Sequence, residues 1–272
     1  MRKITATTTA ALLAGAGTAA LATPAMAMED GGEATVSVLH AVPGLTVDVY
    51  VNGEETVPDF EPGTLTDPLM LPEGTYDVAV YADGDDPESA EPAISAEGLE
   101  VPGGANLTLA AHLAEDGTPM LSAFVNDTST LDAGQSRLTV RHAAAAPAVD
   151  VRAGGSPVIE GLTNPNEEVL DLDAGTVSAD VVLAGTEDVV IGPADLDLAE
   201  GTNTIVYAWG SAEEGTLDLA VQTIDGLHGD PGGVPSGQGG IATSTGVLTV
   251  LLMAGAAGAV LAGSRLVRRE VA

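Results

Sequence analysis

The chain repeats itself, and that limits its possible folds more than any other feature. Val36-Ser-Val-Leu-His40-Ala41 is answered by Leu138-Thr-Val-Arg-His142-Ala143, 102 positions later. Val47-Asp48-Val49 returns as Val149-Asp150-Val151, and Asn52-Gly53 as Gly154-Gly155, at the same offset. Leu71-Pro-Glu-Gly74-Thr75 matches Leu172-Asp-Ala-Gly175-Thr176 after a shift of 101, and Gly104-Ala-Asn106 matches Gly201-Thr-Asn203 after 97. Matching motifs in the same order mean one structural unit present twice, each copy near 95 residues, a length that suits a compact β-sandwich. The units are placed at residues 34–130 and 137–225.

Within each unit the hydrophobic period is that of strands. Val47, Val49 and Val51 alternate with Asp48 and Tyr50, and Tyr76, Val78 and Val80 alternate across Thr75–Tyr81. Asn52-Gly53 is the favoured two-residue hairpin turn, because both positions need positive φ. Further strands are expected at 105–113, 120–125, 177–183, 203–209 and 216–223, with Gly and Pro punctuating the runs at sandwich-like intervals. No long helical period interrupts them. The expectation is an all-β fold of two tandem antiparallel β-sandwich (immunoglobulin-like) domains.

The two ends set the address. Met1-Arg2-Lys3, an uncharged run to Pro24 and the closing Ala25-Met26-Ala27 read as a signal peptide, 1–27. The stretch 226–240 is rich in Gly and Pro and reads as a tether of about 20 Å coil reach. The uncharged segment 241–263 is long enough for a transmembrane helix. Arg265, Arg268 and Arg269 follow it, so 264–272 reads as a cytoplasmic basic tail. The expected location is the cell membrane, single-pass, with the N-terminal region extracellular. Small residues recur at four-residue spacing in the helix (Ala254, Gly258, Ala262), which the abundance of Ala and Gly in this chain explains.

Charge narrows the functional classes. The chain has 8 Lys+Arg against 40 Asp+Glu. Residues 28–240 keep only Arg137, Arg141 and Arg152, contain no Lys and hold 39 of the acids, a formal −36. Phosphate binding needs a basic face, so nucleic acid is excluded as a partner. The absence of Cys excludes disulfides, thiolate metal sites and thiol catalysis. Such a surface attracts cations diffusely, and salt relieves its self-repulsion.

The residues His40, Ala41, Pro43, Val47, Asp48, Val49 and Tyr50, then Leu71, Pro72, Gly74, Thr75 and Tyr76, resemble the family called domain of unknown function 4397. The second unit keeps His142, Ala143, Pro147, Val149, Asp150, Val151, Gly175 and Thr176, but has Arg152 where Tyr50 stands, so it is the more divergent of two tandem copies. The resemblance implies an exported or surface-anchored bacterial β-sandwich protein and carries no activity with it.

Candidate chemistry is sparse. His40 with Asp48 and His142 with Asp150 have the composition of acid/base pairs, and adjacent antiparallel strands would bring them together. Their recurrence in both units points instead to ties for backbone groups at strand ends. Asp83, Asp85, Asp86, Glu88 and Glu91 supply hard oxygens in one loop without an EF-hand pattern. The corresponding loop of the second unit has only Glu187-Asp188. Of the aromatics, Tyr50, Phe60, Tyr76, Tyr81, Phe124, Tyr207 and Trp209, most lie in alternating strands where a core role is the default. Asn106-Leu-Thr108 and Asn126-Asp-Thr128 are glycosylation sequons. No nucleophile elbow, zinc-hydrolase motif or phosphate loop occurs. The reading is a non-enzyme with no catalytic, cofactor or metal residues: an acidic surface protein with a structural, display or adhesive role at the bacterial cell envelope. The alternative is an extracellular binding module for a cation or cell-wall polymer. A deep cleft with convergent polar groups would favour binding, and filled convex sandwiches would favour display.

Overall fold

The computed structural model describes residues 32–229. Every regular element there is a strand. The first unit contains β1 (Glu33–Ala41), β2 (Val47–Val51), β3 (Glu54–Phe60), β4 (Leu69–Pro72), β5 (Gly74–Ala82), β6 (Ile94–Val101), β7 (Asn106–Leu113) and β8 (Pro119–Val125). The second contains β9 (Gln135–Ala145), β10 (Val149–Ala153), β11 (Ser156–Leu162), β12 (Glu167–Asp173), β13 (Gly175–Leu183), β14 (Val189–Leu198), β15 (Asn203–Ser211) and β16 (Asp218–Ile224).

Each unit forms two four-stranded sheets. The orders β4-β1-β7-β8 and β3-β2-β5-β6 in the first return as β12-β9-β15-β16 and β11-β10-β13-β14 in the second. Asn52 and Gly53 turn at φ 52° and 81°, and Gly154 and Gly155 at 57° and 80°, the paired positive angles of the β2–β3 and β10–β11 hairpins. The apolar face of each strand points between the sheets. Val36, Val38, Val47, Val49, Val78, Val80, Leu107 and Leu109 close the first core. Leu138, Val140, Val149, Val151, Val181 and Val206 belong to the second.

One expectation needs correcting. The sheets are not wholly antiparallel: β1 runs parallel to β7, and β9 parallel to β15. After β1 the chain leaves for the other sheet and returns in the same direction as β7, so no tight hairpin joins the two. Parallel pairs of this kind are buried on both faces, and β15 is buried at every residue.

What covers the second face is the other unit. Leu39 and Ala41 of β1, Ala110 of β7 and Phe124 of β8 pack against Ile205, Tyr207 and Trp209 of β15 and Ala220 of β16. The two inner sheets thus share a third core. Leu227 is buried at the end of the body; its carbonyl accepts the Leu131 N–H and its N–H donates to Gly201 O. The stretch expected to act as tether therefore starts pinned to the body. The signal peptide, the rest of the tether, the segment 241–263 and the basic tail lie outside the described residues. Among the described residues no helix is long and apolar enough to cross a membrane.

Candidate functional site

The recurring histidines sit where β1 and β9 end. His40 Nε2 donates to Leu45 O at 2.7 Å, and the Val42 N–H points at its Nδ1 from 3.5 Å. His142 Nε2 donates to Pro147 O at 3.1 Å, and the Ala144 N–H donates to Nδ1 at 3.4 Å. Each imidazole therefore braces the turn that follows its own strand. Both rings are buried, which holds their pKa below the ordinary histidine value. His112 is buried likewise and lowered for the same reason; its Nδ1 meets Leu113 O at 2.9 Å and its Nε2 meets Ser122 Oγ at 2.8 Å.

The aspartates take a different path. Asp48 and Asp150 lie on β2 and β10, in the outer sheets, while His40 and His142 lie in the inner ones. The histidine–aspartate pairs weighed as acid/base candidates do not form, and both residue types tie off backbone groups, as their recurrence suggested. Asp150 instead accepts the Gly161 N–H at 2.7 Å and the Gly185 N–H at 2.8 Å. Those two donors, Gly185 foremost, hold its carboxyl below the usual carboxylate range. Asp48 accepts the Asp59 N–H at 2.9 Å, the same tie in the first unit.

Around Asp48 the units differ. Asp48, Asp59 and Asp83 place one carboxylate oxygen each within 4.8 Å of one another. Gly161 and Ala184 occupy the positions of Asp59 and Asp83 in the second unit. Of the acidic loop singled out in the sequence, only Asp83 enters this cluster; Asp86 caps its own turn through the Glu88 N–H. Asp59 gave no sequence signal, because its part depends on the register shift between β2 and β3. Asp59 and Asp83 are exposed, as carboxylates without an ion commonly are.

The shared core carries the densest polar network. Arg141 is fully buried. Its Nε donates to Glu167 Oε2 at 2.6 Å and its Nη1 to Tyr207 Oη at 2.7 Å, and its guanidinium lies 4.4 Å from the Phe124 ring centroid. Tyr207 donates to Gln222 Oε1, which also accepts the Thr108 hydroxyl from the first unit. Arg137 pairs with Asp127 and Asp171, and Arg152 with Asp180 through two 2.7 Å contacts. All three arginines of the body are thus engaged internally. The Asn126 sequon is engaged as well: its side chain is buried and donates to Asn106 Oδ1 at 2.6 Å and Thr108 Oγ1 at 3.0 Å.

The core default holds for Phe60, Phe124, Tyr207 and Trp209, all buried. Tyr50 and Tyr81 are half-exposed and meet edge to face with centroids 5.3 Å apart, not as a flat platform. The second sandwich is not filled as a display module was expected to be. It holds a cavity of about 290 Å³ between its sheets, walled almost wholly by aliphatic side chains.

No curated protein matches the chain. Residues 34–152 match the model of the family described as Domain of unknown function (DUF4397). The matched stretch covers the first sandwich and the strands β9 and β10 that open the second, and over it the chain is similar to that family.

Proposed function

We propose that the chain is an exported, membrane-anchored acidic protein of the bacterial cell envelope, with a structural role in display, spacing or adhesion. In this reading a signal peptide of residues 1–27 precedes two immunoglobulin-like sandwiches, and a tether leads to a helix at 241–263 with a cytoplasmic tail. The observation that carries it is the distribution of charge. Arg137, Arg141 and Arg152 are all held in ion pairs, and the body keeps no lysine to offset its exposed carboxylates. A surface of one sign repels like surfaces and stays hydrated, which suits a spacer that faces outward. The shared core between the units adds stiffness.

Antibody raised against the body should stain intact native cells, and removal of residues 241–272 should release the chain into the medium. Confinement of the chain to the cytosolic fraction would end the proposal. Cells lacking the chain should also show lower electrophoretic mobility toward the anode. Cations are attracted to the body diffusely, so Ca²⁺ calorimetry at moderate NaCl should give no saturable heat. A saturable heat that Asp59→Gly abolishes would convert the reading to a cation-binding module.

A further inference from the structure

The cavity in the second sandwich follows from substitutions between the two units. Register pairs Tyr76 with Val177, Val78 with Ala179, Val51 with Ala153 and Leu109 with Val206. At all four positions the second unit has the smaller side chain, and all four of its residues line the cavity. In the first unit Tyr76 packs against the core and donates its hydroxyl to Pro72 O at 2.7 Å. The sheets also meet differently. In the first unit β6 lies along β8, whereas β14 has no comparable packing against β16.

An apolar void inside a sandwich destabilises it in proportion to its volume, and an apolar ligand that fills the void removes that cost. A cavity of about 150 Å³ with similar walls takes benzene; this one is nearly twice as large, at about 290 Å³. Its lining includes Val177, Ala179 and Val181, three successive inward positions of β13 that span about 13 Å. A slot that follows β13 over this distance between aliphatic walls matches an alkyl chain. Val158, among the lining residues, is exposed and marks the open end. The polar groups on the wall are Asp173, which accepts from Gln135, and Asp180, which is paired with Arg152. A carboxylate headgroup would meet acids there and no free cation.

We propose that the second sandwich binds a single uncharged alkyl or acyl chain between its sheets, in the slot opened by Val177, Ala179 and Ala153. The first sandwich, plugged by Tyr76, is the unliganded version of the same fold. This inference does not depend on the location or role proposed above.

The test uses 1-decanol as the probe and the full chain reconstituted in phosphatidylcholine vesicles, with melting followed by far-ultraviolet circular dichroism. At a hundredfold excess over its dissociation constant, decanol should raise the melting temperature of the wild type by about 5–10 °C. Val177→Tyr restores the side chain of the first unit and should abolish the shift. If Val177→Tyr does not melt cooperatively, Ala153→Val supplies the same comparison with a smaller plug. No shift in the wild type, or an equal shift in the folded variant, overturns the proposal. Decanoate at pH 8 should stabilise much less than decanol; equal stabilisation overturns the assignment to uncharged chains.

Discussion

At the residue scale, the buried histidines act as turn braces that work only when neutral. A second proton on His142 would set an N–H against the Ala144 N–H that now donates to that nitrogen. Burial lowers the folded pKa of His40, His112 and His142 below the unfolded value near 6.5. The unfolded chain therefore takes up protons first as pH falls. The stability contributed is fully present above about 6.5 and is lost as pH drops toward the folded pKa values. Thermal melts between pH 7.5 and 5.5 should show this decline, and His142→Gln should make it shallower, with His40 and His112 carrying the rest. His40→Gln and His142→Gln should each cost about 1–2 kcal/mol at pH 7.5, read from urea melts, because a buried tie is weakened. Asp59 offers the opposite test. It holds φ at 50°, beside two other carboxylates, where the second unit has Gly161. Asp59→Gly keeps the N–H that Asp48 accepts and should raise stability in metal-free buffer by about 0.5–1 kcal/mol. A destabilised variant would mean that the Asp59 side chain contributes a contact not described above.

At the scale of elements, the strands that were legible are those with one apolar face and one polar face, such as β2 and β5. Their alternation and the Asn52-Gly53 turn are written in the sequence. The strands that were not legible, β3, β4, β12 and β14 among them, are largely exposed or half-exposed; β4 has only four residues, and β3 and β14 are interrupted by Pro58 and by Gly192-Pro193. Parallel pairing of β1 with β7 left no local trace, because it is set by the route of the chain between sheets. The same cause separated His40 from Asp48. The shared core was hinted at by the short linker of residues 131–137 and not by β15, whose Asn203–Ser211 mixes polar and apolar residues although all are buried. One glycine tests that core. A Cβ on Gly63 would stand 2.7 Å from Trp209 Cζ2, and Gly63 holds φ at 78°. Gly63→Ala should therefore cost about 2 kcal/mol or more, from strain and from displacement of the indole. As the chain has a single Trp, its fluorescence emission reads this contact directly, and a red shift should accompany the loss.

Across the whole molecule, self-repulsion among carboxylates works against the compact state. Raising NaCl from 0.1 to 1 M shortens the screening length from about 10 to about 3 Å. The melting temperature should therefore climb by several degrees over that range, and a flat response would mean that the charges are too far apart to matter. The few cations have a practical consequence too. Residues 28–240 contain no lysine, and their three arginines lie in strands β9 and β10 with their guanidiniums already bound to carboxylates. Trypsin consequently finds no accessible scissile site on the folded body, and amine-reactive tags find no lysine there. At the location proposed above, surveys that shave cells with trypsin or biotinylate lysines would pass over this body, whereas a glutamate-specific protease meets exposed glutamates on it.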